Sequence, residues 1–125
     1  MLFDTDILIW VQRGSLKAAN LIERADERHI SLQTYLELLQ HAKNKTQHKY
    51  SKEFLAAFGF VILPLTENIG HRAAIYIEEY ALSSGLRAGD ALIAATATEN
   101  SLTLATGNAK HFRAIKDLSL KTFTP

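Results

Sequence analysis

Asp4, Glu37 and Asp90 are carboxylates set in apolar surroundings. Asp4 follows Met-Leu-Phe, Glu37 lies inside Thr-Tyr-Leu-Glu-Leu-Leu, and Asp90 lies inside Ala-Gly-Asp-Ala-Leu-Ile-Ala-Ala. An ionised acid is costly in such a setting unless something pairs with it. Three acids brought together repel one another unless a divalent cation joins them. Their joint presence points to an ion held by oxygen ligands and to chemistry done with that ion.

Each acid also has a purely structural reading. Asp4 sits between an apolar strand and a helix, where a carboxylate can cap the first free amides. Asp6, two residues on, is either a second acidic contributor or a first-turn residue favoured by the helix dipole. Thr34-Tyr-Leu-Glu37 has capping-box spacing, in which the glutamate folds back to the cap amide. Asp90 follows Gly89 and could cap the helix it opens. Downstream, Thr-Gly-Asn-Ala-Lys-His-Phe offers Thr106, Asn108, Lys110 and His111. These form a polar loop over Phe112, or Asn108 or Thr106 supplies an oxygen to the metal or its water while Lys110 faces phosphate.

The other histidines, His29, His41, His48 and His71, are dispersed. None makes a paired metal-ligand spacing such as His-Glu-x-x-His, so they read as surface residues. Lys43, Lys45, His48, Lys49 and Lys52 form a basic run, read as a solvated face or as a phosphate-contacting rim.

Elements must bring these residues together. Residues 1–3 read as a buried strand ending at Asp4. Helices are expected over 7–12 and 16–28, the second capped by Ser15, with Ala19, Leu21, Ile22 and Ala25 inward. A strand over 29–32, helices over 34–45 and 48–58, and a strand over 60–63 closed by Pro64 follow. Thr66 and Glu67 open a long helix to 84 with Ile69, Ala73, Ile77 and Tyr80 or Ala81 inward, ended by Gly85. Residues 90–99 are apolar on nearly every side, as an interior helix would be. Strands over 103–106 and 118–123 complete the chain. Alternating strands and helices imply βαβ units and a mainly parallel sheet covered on both faces. Function in such folds gathers at the C-terminal ends of strands, where Asp4 and Thr106 to Asn108 fall.

The length of 125 residues suits one domain spanning 1–125, and 47% hydrophobic residues suffice for a core. A net charge of +1 leaves any attraction to phosphate to a local patch. With no cysteine, disulfides, thiolate zinc sites and cysteine nucleophiles are excluded. The N-terminus carries no basic run before an apolar one, which argues against a signal peptide, and no stretch reaches the roughly 18 apolar residues of a membrane span. A soluble, cytoplasmic protein is the expectation.

Taken together, Leu-Phe-Asp4-Thr-Asp-Ile-Leu-Ile, Thr34-Tyr-Leu-Glu37-Leu-Leu, Gly-Asp90-Ala-Leu-Ile-Ala-Ala-Thr-Ala and Ala-Thr106-Gly-Asn108-Ala-Lys-His111-Phe resemble the PIN-domain ribonucleases. Within them the likeness is to the VapC-type toxins of toxin–antitoxin pairs. The order and spacing match over essentially the whole chain. The resemblance implies a three-layer α/β/α fold, Mg²⁺ or Mn²⁺ held by Asp4, Glu37 and Asp90, and endoribonuclease activity. It places Asn108 where the family often has a fourth acid, and His111 where another acid is common. It makes Asp6, Thr34, Thr106, Lys110 and His111 neighbours of the acids or of the substrate. It further implies a homodimer and a cognate antitoxin, for which residues 16–25 and 35–39 could supply surface.

Two other readings compete. Asp4-Thr-Asp6 looks like the opening motif of haloacid-dehalogenase-type phosphatases, although Glu37 then has no role. The domain could also be a non-catalytic binding module for RNA or protein on the same scaffold.

Overall fold

The computed structural model describes all 125 residues. Its strands are β1 (Leu2–Phe3), β2 (His29–Ser31), β3 (Val61–Leu63), β4 (Leu104–Thr106) and β5 (Leu120–Thr122). Its helices are α1 (Thr5–Gln12), α2 (Leu16–Glu23), α3 (Leu32–His41), α4 (Lys45–Ala57), α5 (Glu67–Ser84), α6 (Ala88–Glu99) and α7 (Ala109–Phe112). The five strands form one sheet in the order β3-β2-β1-β4-β5, and every pairing is parallel. The chain moves from the central β1 outward through β2 and β3, then crosses to β4 and β5 on the other side. The strand order therefore reverses between β1 and β4, where such sheets open a crevice.

Helices cover both faces. Leu2 and Leu104 point into a core built mainly on α5 and α6. Their neighbours Phe3 and Ala105 point into a second core with α1 to α4. Alternate residues of one strand thus serve opposite cores, as a two-residue side-chain period requires. Both faces being dry, the strands read as continuous apolar runs rather than alternating ones. Helix α6 buries Ala91, Ile93, Ala94, Ala95, Thr96 and Ala97, the interior helix expected from its composition.

Several boundaries differ from the sequence expectation. Helix α2 stops at Glu23 rather than 28, because the Arg28 carbonyl already accepts from the Val61 amide and holds that backbone extended. Helix α3 starts at Leu32, capped by the Ser31 hydroxyl on the Thr34 amide. Helix α6 starts at Ala88 with Arg87 at the cap position, so Asp90 lies inside the first turn and does not cap it. Helix α5 turns Tyr76 inward beside Ile69 and Ala73, while Gly85 ends it with φ of 73°, a left-handed conformation that glycine adopts without strain. The one-turn α7 stands where a loop is expected, because four residues carry too little periodicity to show. Strand β3 is an edge strand, which leaves Val61 and Ile62 exposed.

Candidate active site

The backbone amide of Asp4 donates to the Ala105 carbonyl at 2.9 Å, extending the β1–β4 ladder to the crevice. There Asp4 caps α1, so its structural reading holds, but its side chain does more than cap. One carboxylate oxygen accepts from the Thr5 amide at 2.8 Å, and the other accepts from the Thr106 hydroxyl at 2.7 Å. Thr106 is fully buried at the end of β4 and accepts in turn from the Asn108 amide at 3.0 Å. Asp6 Oδ2 accepts from the Gly107 amide at 2.9 Å. The turn after β4 is therefore fastened to the first turn of α1 by two carboxylates.

Glu37 enters from α3. Its Oε1 accepts from the Thr5 hydroxyl at 2.5 Å and its Oε2 from the Gln33 amide at 3.0 Å. The single Thr5 proton goes to Glu37, so the Thr34 hydroxyl, 3.0 Å away, is the donor in their pair. The capping-box expectation fails here: Ser31 caps α3, and Glu37 faces α1 instead of the cap amide. Asp90 enters from α6, with Oδ2 3.5 Å from His111 Nδ1.

Electrostatics tie the acids into one group. Burial, reinforced by the charge of Asp6 and more weakly by that of Asp90, pushes the Asp4 carboxyl up to about 7 against the hydrogen bonds from Thr106 and Thr5. Burial likewise raises Asp6, with the Gly107 amide opposing and Asp90 adding to the rise. Burial raises Asp90, with the Arg87 backbone and His111 opposing and Glu37 adding to the rise. Asp4 thus feels Asp6 and Asp90, Asp6 feels Asp90, and Asp90 feels Glu37, although Asp4, Glu37 and Asp90 come from separate segments.

The donors fit a hard divalent cation in kind and in charge: all are oxygens, their charge is incompletely compensated, and Asp6 Oδ1 is buried without a hydrogen-bond partner. As they stand, no three acid or histidine side chains are gathered into an ion-ligating set. Asn108 is exposed and its side chain makes no capping bond. Lys110 is exposed on α7. Lys43, Lys45, His48, Lys49 and Lys52 are all exposed at the start of α4 or just before it, and Lys49 pairs with Glu53, which supports the solvated-face reading.

Thr5, Gln33 and Gly89 join the site beyond the residues expected from the sequence. A Cβ on Gly89 would stand 2.8 Å from Glu37 Oε2 and 3.2 Å from Gln33 Nε2, so the missing side chain is what admits Glu37 to the start of α6. A glycine in a helical first turn beside an acid was the available signal. Gly89→Ala should leave melting temperature level or raised, since alanine favours helix by roughly 1 kcal/mol and the crowded atoms end flexible side chains. It should lower catalytic turnover about 10- to 100-fold by displacing Glu37. Thermal melting and initial rates on the same preparation check both halves.

Asp6 is separable in the same way. Asp6→Asn retains an oxygen for the Gly107 amide and should keep most activity. Asp6→Ala frees the turn and should cost about 10- to 100-fold, with faster hydrogen exchange at Gly107.

The profile of the PIN domain family matches residues 1–118. The fold is similar to that of a chain in a toxin–antitoxin complex from Klebsiella pneumoniae, with 33% identity, a TM-score of 0.81, and coverage of 97% of this chain and 95% of that one. It is also similar to a chain of VapBC2 from Rickettsia felis bound to a promoter DNA fragment (21% identity, TM-score 0.82, 98% of both chains). A third likeness is to VapBC-1 from nontypeable Haemophilus influenzae (24% identity, TM-score 0.80, 97% and 96%); at these last two identities the likeness concerns the fold. No curated protein matches the chain in sequence.

Proposed function

The chain belongs to the PIN-domain family, and from that premise we propose that it is a metal-dependent endoribonuclease, the toxin of a toxin–antitoxin pair. The carrying observation is that burial raises Asp4, Asp6 and Asp90 at the crevice between β1 and β4, and that each also feels the charge of an acid from another segment, Glu37 of α3 acting on Asp90. Asp4, Glu37 and Asp90 would hold Mg²⁺ or Mn²⁺, with Asn108 at the fourth position. The ion would neutralise the acids toward a phosphodiester and polarise a water for attack.

The chain's own residues set the stage for hydrolysis. Thr106 and the Thr5 amide hold Asp4, Thr5 and Gln33 hold Glu37, and His111 stands against Asp90. Oriented oxygens of this kind lower the reorganisation needed when charge develops on the phosphoryl group. Water oxygen bonds to phosphorus, the ester P–O bond breaks, and the water's proton ends on the leaving oxygen. Lys110 and His111 lie on α7 after Asn108, where they can face phosphate.

The phosphatase reading left Glu37 idle, whereas Glu37 faces Thr5 and Gln33 in the pocket and the family is PIN. A homodimer and an antitoxin complete the proposal. Exposed Val61, Ile62, Ile75 and Leu82 offer apolar surface for a second copy, and exposed Leu16 and Leu36 offer it for an antitoxin. No helix is long and apolar enough to cross a membrane.

The test is cleavage of single-stranded RNA with Mn²⁺, with EDTA, and by Asp90→Asn. Cleavage by the wild type with Mn²⁺ alone supports the reading. Equal RNA loss from the Asp90→Asn preparation would assign it to contamination and leave a binding module.

A further inference from the structure

We propose that a track of unpaired cations running from the acidic pocket around the β5 edge holds the backbone of single-stranded RNA beyond the cleavage position. The proposal rests on the nuclease reading for its substrate and on two adjoining grooves for its geometry. The nearer groove, about 260 Å³, begins at Gly107 and Asn108, the turn fastened to Asp6 and Asp4, and carries Lys110 and Arg113. The farther groove, about 440 Å³, runs between α2 and β5 and carries Lys17, Arg24 and Lys121. The two share Thr122, Phe123 and Thr124 as a common wall, so one path joins them.

Charge identifies the occupant. Neither groove has an acidic side chain in its lining. All five cations are exposed, and none is paired with a carboxylate. In a chain with a net charge of only +1, this is a local excess of positive charge strung along a path, as a backbone-tracking groove requires. Leu21 and Ala25 add apolar surface beneath it. An acidic peptide would meet the same charges, but the opening onto Gly107 and Asn108 beside the acids favours a strand threading onward into the pocket. The acids repel phosphate and the track attracts it, so the track supplies binding that the pocket cannot.

The experiment measures binding of a fluorescent 20-nucleotide single-stranded RNA by anisotropy, in EDTA and across a salt series, so no cleavage is needed. The wild type is compared with Lys17→Ala/Arg24→Ala/Lys121→Ala and with the charge-matched Lys45→Ala/Lys49→Ala/Lys52→Ala on α4. The track variant should bind about tenfold or more weakly near 0.1 M salt, with its log–log salt slope reduced by about 2, at roughly 0.7 per lost phosphate contact. The α4 variant should bind as the wild type does. Wild-type affinity in the track variant would overturn the proposal. So would equal losses in both variants, which would reduce the effect to net charge. So would a polyglutamate peptide that binds the wild type more tightly than the RNA does and displaces it from the track. RNA held by the track in a protein that never cleaves with Mn²⁺ would leave the track standing and count against the nuclease reading alone.

Discussion

Asp4→Asn should abolish cleavage and at the same time flatten the dependence of stability on pH. The Asp4 carboxyl is raised from 3.8 to about 7 in the folded chain. A group raised on folding lends stability that is fully present below its unfolded value and is lost as pH rises through its folded value. In EDTA the wild type should therefore lose stability between about pH 4 and pH 7. The loss would be on the order of 4 kcal/mol, at 1.36 kcal/mol for each pH unit. Asp6 and Asp90 are raised too and pull in the same direction. Asparagine resembles the protonated acid: its oxygen can accept from the Thr5 amide and its NH2 can face Thr106. The variant should keep only the pH dependence that Asp6 and Asp90 supply, so its melting temperature should differ less between pH 5 and pH 8 than that of the wild type. Cleavage should fall about a thousandfold, which corresponds to roughly 4 kcal/mol of lost transition-state stabilisation. Denaturant melts at both pH values, with rates on the same stock, check the two halves independently. A variant as pH-dependent as the wild type would move the burden of charge away from Asp4.

Mn²⁺ should reverse that loss. Binding to the folded chain alone adds about 2.7 kcal/mol at a concentration a hundredfold above the dissociation constant. For a chain of this size the gain amounts to roughly 10 °C in melting temperature. Because ligating acids must shed their protons, the gain should be larger at pH 8 than at pH 5. Scanning calorimetry with and without Mn²⁺ at the two pH values reads it directly. A gain that is equal at both pH values would show binding somewhere other than at the raised acids.

Asp4, Glu37 and Asp90 were legible as candidates because an acid among apolar residues is conspicuous. Asp4, Glu37 and Asp90 each stood out from their own segments, and strand–helix alternation put Asp4 and Thr106 at the same edge. The parallel sheet followed from the same alternation. The partners of the acids were not legible. Thr5 meets Glu37, and Gln33 meets Gly89, only after β1, α3 and α6 are in register, and no local pattern encodes such a meeting. Cap chemistry misled at Glu37 and Asp90 for a related reason. Ser31 and Arg87 took the cap positions, which left Glu37 to face α1 and placed Asp90 inside the first turn of α6. The basic track was hidden too, since Lys17, Arg24, Lys110, Arg113 and Lys121 come from three segments and no run of charge announces them.

The most direct measurement is a calorimetric titration of Mn²⁺ into the wild type and Asp4→Asn at pH 7, repeated in two buffers of different ionisation enthalpy. Acids from separate segments sharing one pocket predict saturable uptake by the wild type. Heats should differ between the buffers because Asp4 gives up part of a proton, and the variant should show no comparable uptake. A wild type that takes up neither Mn²⁺ nor Mg²⁺, or takes it up with no proton released, would contradict the account.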